Sequence, residues 1–293
     1  MFPALPARRI LFVHAHPDDE TLTTGGAIAR YATDPDTACV VLTCSLGEEG
    51  EVIPPELREL APDRGDQLGG YRVHELAGAL AALGGPEHRF LGGLGRWRDS
   101  GMEHGEGTRA VTPAVLHPRA LAAPGAFDEQ LAQLLAVVDE LRPQVVVSYA
   151  DDGGYGHPDH VRAHALTTAA AKARPEVVAR VFHAVRSRSA LAAGLAGIED
   201  LPGMPFRFPG PDELPSVPDA VVTTRLDVSA HRAAVVAAMR AHETQIAVWE
   251  AGDGAVAFAM SNDVAQPLID VEEYALASGA GPAPADDLFA GLA

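Results

Sequence analysis

The chain has 293 residues, enough for one large α/β domain or two smaller ones. Hydrophobic residues make up 47% of it and charged residues 21%, a balance typical of a packed globular protein and too apolar for a disordered one. Acidic residues outnumber basic ones 40 to 22, which gives a net charge of -18. A nucleic-acid-binding protein needs a basic surface for the phosphates, so this charge argues against that class.

The sequence also argues against an exported or membrane-spanning protein. Residues 1–9 have no long apolar core after a basic start, so they do not resemble a signal peptide. No apolar stretch approaches the ~20 residues of a membrane span. Cys39 and Cys44 lie in one apolar run, residues 38–44, that reads as a strand and puts their side chains on opposite faces, about 16 Å apart, too far for a disulfide. We therefore predict two free thiols and a cytoplasmic location.

Apolar runs typical of strands alternate with amphipathic runs typical of helices along most of the chain. The predicted strands cover residues 10–13, 39–43, 89–91, 145–149, 177–185 and 220–226. The predicted helices cover residues 21–31, 66–83, 127–141, 158–173 and 230–242. This alternation predicts an α/β fold with a mainly parallel, Rossmann-like sheet and helices on both faces.

Some of the connections between these elements are unusually long. Residues 92–124 and the segment after residue 195 exceed simple turns, and long ordered loops often carry function. We expect a single domain over residues 1–293, with long loop insertions at the active-site edge. Residues 1–185 are predicted to form the catalytic α/β core. Residues 186–293 are predicted to complete the sheet and the substrate pocket.

The most unusual segment directly follows the first predicted strand and reads H-A-H-P-D-D-E, residues 14–20. Ligands of open parallel sheets bind beyond the carboxyl ends of the strands. One aspartate at that place is explained as a helix cap, but five ionisable residues in seven are costly there unless they bind or react. The segment therefore predicts a functional site at this edge of the sheet.

A second segment of the same type, Y-G-H-P-D-H, covers residues 155–160 after another predicted strand. A catalytic zinc site uses three protein ligands and leaves one position open for water. His16, Asp19 and His160 would supply two imidazoles and a carboxylate, a set that suits zinc or iron(II). Asp18 is next to a ligand and could take a proton from the water.

Together these segments resemble the zinc-dependent N-acetylglucosaminyl-phosphatidylinositol deacetylase (LmbE-like) superfamily. Four further segments of this sequence are similar to one branch of that superfamily. The enzymes of this branch act in mycothiol biosynthesis and deacetylate 1-D-myo-inositol 2-acetamido-2-deoxy-α-D-glucopyranoside. The four segments are T-C-S-L-G-E-E-G-E-V (43–52), D-Q-L-G-G-Y-R (66–72), G-R-W-R-D-S-G (95–101) and G-G-Y-G-H-P-D-H (153–160). The resemblance runs from about residue 9 to 172 and resumes near Ser261 and Asn262, but it gives nothing for residues 186–220.

The resemblance implies a role for each residue that matches. One zinc ion per subunit is expected on the three ligands named above, with iron(II) as an alternative. Asp18 is expected to be the general base, and either Asp18 or His157 protonates the leaving amine. His157 is otherwise an electrostatic stabiliser, and Tyr155 is expected to donate a hydrogen bond to the oxyanion.

Four more matching residues are expected to bind the sugar or inositol hydroxyls, namely Arg72, Asp99, Glu51 and Asn262. An arginine suits this task because its planar guanidinium offers five donors to a polyol. For Trp97 two alternatives stay open, a side chain that fills the core and a platform on which a sugar stacks.

The implied reaction is hydrolysis of the N-acetyl group to give glucosaminyl-inositol and acetate. It needs a small-molecule substrate and no nucleic acid, membrane or obligate protein partner. One alternative is the related amidase of mycothiol S-conjugates, whose family carries a lysine just after the D-D-E segment; here Thr23 and Thr24 stand there, and the first lysine is Lys172. Others are a deacetylase of a different GlcNAc-type glycoside and a non-catalytic metal- or sugar-binding module, which would not need Asp18.

Overall fold

The computed structural model describes residues 6–104, 109–199, 201–252 and 254–292. Their strands are β1 (Arg8–His14), β2 (Thr37–Thr43), β3 (Glu87–Phe90), β4 (Glu103–His104), β5 (Ala110–Val111), β6 (Val145–Ser148), β7 (Arg180–Val185), β8 (Thr224–Asp227), β9 (Ala247–Glu250), β10 (Val256–Ala259), β11 (Gln266–Pro267) and β12 (Val271–Ser278). Their α-helices are α1 (Asp19–Ala32), α2 (Leu68–Ala82), α3 (Phe127–Leu141), α4 (Pro158–Ala173), α5 (Arg188–Ala196) and α6 (Arg232–Ala241).

Seven strands form the central sheet in the order β3-β2-β1-β6-β7-β12-β8. The first five of these are parallel to one another, and β12 is antiparallel to both of its neighbours. The carboxyl ends of β1, β2, β6 and β7 therefore lie at one edge of the sheet. The predicted α/β fold with a mainly parallel sheet is confirmed.

Strand β1 lies at the centre of the sheet and is covered on both faces. Ile10 and Phe12 pack into a core with α1, α2 and α6, whereas Leu11 and Val13 pack into a second core with α3 and α4. All four side chains are fully buried. Burial on both faces explains why residues 10–13 of β1 form an unbroken apolar run, as is usual for inner parallel strands.

The two cysteines belong to different cores, as their predicted positions on opposite faces of one strand require. Cys39 packs with the α1 side and Cys44 with the α3 side, and both thiols are free. Trp97 is buried in the second core, where its indole N–H donates to Gln133 Oε1 at 2.8 Å. This position supports the core-filling alternative for Trp97.

Three predicted elements differ from the observed ones. The predicted strand 220–226 is a 3-10 turn, Asp219–Val221, followed by β8; Val221 lies exposed on that turn and the half-buried Val222 directly follows it, so neither extends β8. The predicted strand 177–185 begins only at β7, and the predicted helix 230–242 opens with the 3-10 turn Ser229–His231. The sequence analysis did not predict α5, β4, β5 or β9 to β12. Strands β4, β5, β9, β10 and β11 have two to four residues, too few to show a period, and α5 is short and rich in alanine, whereas β12 has eight residues and was missed all the same.

Residues after β7 add β12 and β8 to the central sheet and supply α6, which packs against α1 and α2. Strands β9, β10 and β11 form a small antiparallel sheet, and Ala257 and Ala265 in this region pack against Ile198 just after α5. Within the described ranges, none of the helices has both the length and the apolar character that crossing a bilayer requires.

Candidate metal centre and active-site cavity

Three side chains meet beyond the carboxyl ends of β1 and β6. His16 lies in the loop after β1, Asp19 begins α1, and His160 lies in the first turn of α4. His16 Nδ1 is 3.4 Å from Asp19 Oδ2, and His160 Nε2 is 3.3 Å from Asp19 Oδ1. Burial favours the neutral form of Asp19, but the two histidines outweigh it and hold the pKa of Asp19 well below its usual range.

These separations fit a metal centre. Two ligand atoms that each lie ~2.0–2.1 Å from a tetrahedral zinc are themselves about 3.3 Å apart. His160 Nε2 is buried and has no hydrogen-bond partner in the described part of the chain. Its other nitrogen, Nδ1, is 3.1 Å from the Gly153 carbonyl oxygen, which can only accept a hydrogen bond, so Nδ1 carries the hydrogen and Nε2 keeps a free lone pair. The donor set is therefore suited to an ion of the zinc or iron(II) type.

Tyr149 supports this cluster from the end of β6. Its hydroxyl donates to Asp19 Oδ2 at 2.7 Å, and its ring stacks on His160 with 4.1 Å between the ring centres. The His16 backbone N–H donates to the same Asp19 oxygen at 3.0 Å. Asp19 Oδ2 is therefore fixed by two donors, whereas Oδ1 points to His160.

The far nitrogen of His16 lies between two further carboxylates. His16 Nε2 is 3.1 Å from Asp159 Oδ2 and 3.4 Å from Asp99 Oδ1. Burial disfavours the imidazolium, but Asp99 and Asp159 outweigh it, so the pKa of His16 is raised well above its usual value. A carboxylate on the far nitrogen orients a ligating histidine. The sequence analysis missed this contact of Asp159, although the residue lies inside the H-P-D-H segment.

Among the described residues, two groups of three bring possible ligand atoms within 4.8 Å of one another. One is His16, His157 and His160, and the other is His16, Asp99 and Asp159. His16 belongs to both groups. Asp19 is not in either group, yet its two oxygens face a nitrogen of His16 and a nitrogen of His160.

Asp18 lies beside this cluster in an unusual backbone conformation, with φ at 108°. Its N–H donates to Glu20 Oε2 at 2.9 Å, and its Oδ2 accepts from Arg72 Nη2 at 2.8 Å. Burial raises the pKa of Asp18 to about 6 and Arg72 opposes this rise. A carboxylate with a pKa near neutrality is suited to accept and return a proton.

Arg72 is buried rather than free to reach outward. It is only 2% exposed, and it donates to the carbonyls of Gly47 and Pro17 as well as to Asp18. Its guanidinium therefore positions the loop before α1. It also lines the cavity described below, where the sequence analysis expected a contact with substrate hydroxyls.

His157 and Tyr155 approach the cluster from the loop before α4. His157 caps that helix through Nδ1, which accepts from the Asp159 N–H at 3.2 Å, and its ring centre is 4.7 Å from that of His16. Burial and the nearby histidines lower the pKa of His157 to about 2. The Tyr155 ring meets His160 edge-on at 5.2 Å, and burial raises the pKa of its hydroxyl.

These side chains form one end of a cavity of about 770 Å³. All ten residues that the sequence analysis singled out line it, including Glu51 and Asn262, which are otherwise exposed. The opposite wall comes from residues within the ranges 184–190, 207–217 and 258–273. A cavity of this size holds a substrate larger than one sugar ring.

A buried pair behind the cavity had no signal in the sequence. His242, at the end of α6, lies against Glu20, and the sequence analysis treated it as one of several structural histidines. The two residues are far apart along the chain and neither has a partner at a regular spacing. Only the fold brings them together.

The chain matches the PIG-L (GlcNAc-PI de-N-acetylase) family over residues 11–171. It is 56% identical to a "1D-myo-inositol 2-acetamido-2-deoxy-alpha-D-glucopyranoside deacetylase" of Actinosynnema mirum, covering 97% of both chains. A protein of Saccharopolyspora erythraea with the same name, numbered 1, is 55% identical, over 97% of this chain and 94% of its own.

Solved structures with a similar fold include two enzymes of different activity. The A40926 pseudoaglycone deacetylase Dbv21 is 20% identical with a TM-score of 0.50, covering 80% of this chain and 81% of its own. The 4-carboxy-2-hydroxymuconate hydratase GalB of Pseudomonas putida KT2440 is 22% identical with a TM-score of 0.50, covering 80% and 78%. These two likenesses show the fold alone. The family match and the near-full-length relatives show more: the chain belongs to the PIG-L (GlcNAc-PI de-N-acetylase) family.

Proposed function

We propose that this chain is a metal-dependent deacetylase that hydrolyses the N-acetyl group of 1D-myo-inositol 2-acetamido-2-deoxy-α-D-glucopyranoside. The products are glucosaminyl-inositol and acetate, within mycothiol biosynthesis. The names of the two relatives above support the substrate. The observation that carries the reaction is the buried His16, Asp19 and His160 cluster with Asp18 beside it, at one end of a cavity large enough for two rings.

His16, Asp19 and His160 would hold one metal ion per subunit, zinc in our proposal, with iron(II) suited to the same ligands. When bound, such an ion polarises the amide carbonyl and acidifies water. Tyr149 and Asp159 keep the ligands in position through their hydrogen bonds to Asp19 and His16. The protein thereby presents its ligand atoms already oriented.

Asp18 is the proposed general base, because its pKa of about 6 lets it take a proton from the attacking water and release it later. The Arg72 guanidinium holds the Asp18 carboxylate in place. Tyr155 and His157 lie where the oxygen of the amide gains negative charge, and the Tyr155 hydroxyl donates a hydrogen bond to it. The leaving amine receives its proton from Asp18 or His157.

The rest of the cavity binds the sugar and the inositol. Arg72, Asp99, Glu51 and Asn262 are the proposed contacts to their hydroxyls, and all four line it. We propose that residues 1–185 supply the catalytic half and residues 186–293 the opposite wall, as one domain. The cytoplasmic location stays a prediction from the sequence. The same holds for the expectation that the enzyme needs no protein, nucleic-acid or membrane partner.

The test is release of acetate and free amine from the inositol glycoside, run beside free GlcNAc and a mycothiol S-conjugate. The protein is assayed as purified, after removal of metal by a chelator, and after addition of zinc or iron(II). We expect the glycoside to react fastest, with the activity lost on chelation and restored by metal. Asp18→Asn should keep the metal and lose turnover.

Two results would change the proposal. Faster cleavage of the S-conjugate would assign the chain to the amidase alternative, and faster release from another GlcNAc glycoside would change the substrate. Because a hydratase shares this fold, a metal-loaded protein that releases no acetate from any of them would remove the deacetylase assignment itself.

A further inference from the structure

Arg186 lies at the same edge of the sheet as the proposed catalytic residues, but nothing above gives it a role. It directly follows β7, which is parallel to β6 and, through it, to β1. Two strand spacings of ~4.8 Å separate β7 from β1, so Arg186 leaves the sheet about 10 Å from the end of β1. It lines the same cavity as His16. That separation is about the length of two linked sugar-sized rings.

The guanidinium of Arg186 has no hydrogen-bond or ion-pair partner among the residues that the structure describes. Arg186 is nevertheless half-buried. Five other cations likewise have no partner for their charged groups within the described ranges, and all are exposed: Arg58, Arg109, Arg142, Lys172 and Arg188. A cation withdrawn from bulk water without an acceptor is unfavourable, so Arg186 is expected to find its acceptors in the cavity.

Charges around Arg186 argue against an anion as that acceptor. Burial lowers the pKa of Arg186, and Glu273, which is itself paired with Arg225, is close enough to oppose part of that lowering. Glu272 precedes Glu273 on β12, beside β7. The other two arginines of this wall are already neutralised, Arg207 by Glu213 and Arg232 by Asp270. This part of the cavity is therefore not positive overall, and an anionic ligand would meet the carboxylates as well as Arg186.

A neutral group with several hydroxyls meets neither difficulty. Its oxygens accept from the fork of N–H groups on Arg186, while its O–H groups donate to carboxylate and amide oxygens of the same wall. Val217 lies beside Arg186, because its N–H donates to the Arg186 carbonyl at 2.8 Å. Leu214 and Val217 both line the cavity and give an apolar surface for the carbon face of a ring.

We propose that Arg186 is the centre of a binding subsite for the polyol aglycone of the substrate, and that it donates hydrogen bonds to the ring hydroxyls there. This inference rests on the proposed function, because it places the acetamido group at the metal centre and the inositol at Arg186. The subsite would set the preference for the glycoside over free GlcNAc. It would not take part in the chemical step.

The test compares Arg186→Gln with the wild-type protein on two substrates, the inositol glycoside and free GlcNAc. We expect kcat/KM for the glycoside to fall about 10–100-fold, mostly through KM, since a hydrogen bond to a charged group is lost. Turnover of free GlcNAc and the metal content should stay unchanged, which also reports that the variant folds. Arg186→Lys should recover part of the loss, because it keeps the charge but not the fork.

Arg188→Gln is the matched control, two residues along the chain, with an exposed guanidinium that also has no hydrogen-bond or ion-pair partner in the part of the chain that the structure describes. It should leave both substrates unaffected. The subsite is disproved if Arg186→Gln lowers kcat/KM equally for both substrates, or lowers it for neither of them. Stronger inhibition by an inositol phosphate than by myo-inositol, lost in Arg186→Gln, would assign Arg186 to an anion and overturn the polyol proposal.

A calorimetric measurement separates this inference from the proposed function. If the wild-type protein released no acetate from the glycoside, the proposed function would fail. Binding of glucosaminyl-inositol to the metal-loaded protein would still test the subsite, because Arg186→Gln should weaken it about 10–100-fold and Arg188→Gln should not. Equal affinity of all three proteins for glucosaminyl-inositol would overturn the subsite at Arg186 without bearing on the proposed function.

Discussion

His242 Nε2 lies 2.8 Å from Glu20 Oε1, and both side chains are completely buried although 222 positions separate them. The pair joins the end of α6 to the segment that carries Asp18 and Asp19. Burial favours neutral Glu20, but His242 outweighs it and lowers the pKa of Glu20 to about 2. The other oxygen of Glu20 accepts the N–H of Asp18, whose φ of 108° is rare outside glycine. His242 therefore helps to hold the proposed base in its conformation.

Replacing His242 should affect both stability and rate. His242→Gln leaves the buried Glu20 carboxylate with a weaker partner, so the free energy of unfolding should fall by about 1–3 kcal/mol. We expect kcat to fall about 10-fold because Asp18 is less well placed, with little change in KM or metal content. Urea unfolding, kinetics and metal analysis measure the three effects. His74→Gln, on an exposed face of α2, is the control; a His242 variant as active and stable as this control would contradict the role.

The adjacent aspartates should behave differently. Asp18→Asn keeps a residue type that tolerates positive φ, so the loop should stay intact while the rate falls about 10²–10⁴-fold, the usual value of a general base. Asp19→Asn should instead lower the metal content, since its oxygens face both histidines. Acetate release and elemental analysis of the two variants test this division. Loss of metal in the Asp18 variant, with full retention in the Asp19 variant, would reverse the two roles.

Asp159 should control metal affinity without being a ligand. Removing its charge in Asp159→Asn weakens the contact that orients His16, and we expect metal affinity to fall about 10–100-fold. Competition with a chelator of known affinity gives this value directly. Asp151→Asn, exposed and on the loop between β6 and α4, should bind metal as the wild-type protein does. Equal affinity in both variants would mean that Asp99 alone fixes the ring of His16.

Glu272 should make stability depend on pH. Burial raises its pKa from 4.5 to about 7, despite hydrogen bonds from Tyr274 and from the N–H groups of Gly26 and Ala27. Because the folded-state pKa is the higher one, the stabilisation is complete below about pH 4.5 and is lost as the pH rises to about 7. The loss between about pH 5.5 and about pH 8 should be about 2 kcal/mol.

Urea unfolding at the two pH values, in the wild-type protein and in Glu272→Gln, isolates this effect. The glutamine variant is expected to be less stable throughout, because one backbone N–H loses its acceptor, but it should lack the loss that Glu272 causes. Glu176→Gln, an exposed residue, should follow the wild-type curve. Parallel curves for the wild-type protein and the Glu272 variant would show that Glu272 titrates normally.

The sequence predicted the parts of this site that follow strands. His16 and His160 lie after β1 and β6, two neighbouring parallel strands, so their meeting follows from topology alone. The contact of Arg72 with Asp18 was not predictable, because an arginine in a helix carries no sign of which loop it reaches. Nor was the pairing of Glu20 with His242 or the antiparallel entry of β12, since both depend on how distant segments pack rather than on any local period.

The position of β12 has a consequence for synthesis of the protein. This strand, near the end of the described chain, lies between β7 and β8, and within the described ranges β8 pairs with no other strand, its one further contact of this kind being the bridge from Thr224 to Ala285. While the ribosome is still making residues 271–278, β7 has an open hydrogen-bonding edge, and one wall of the cavity has not formed. Nascent chains can pair through such an edge. The catalytic half is therefore translated before β12 can cover the edge of β7, and during that interval this edge is open to pairing with another chain.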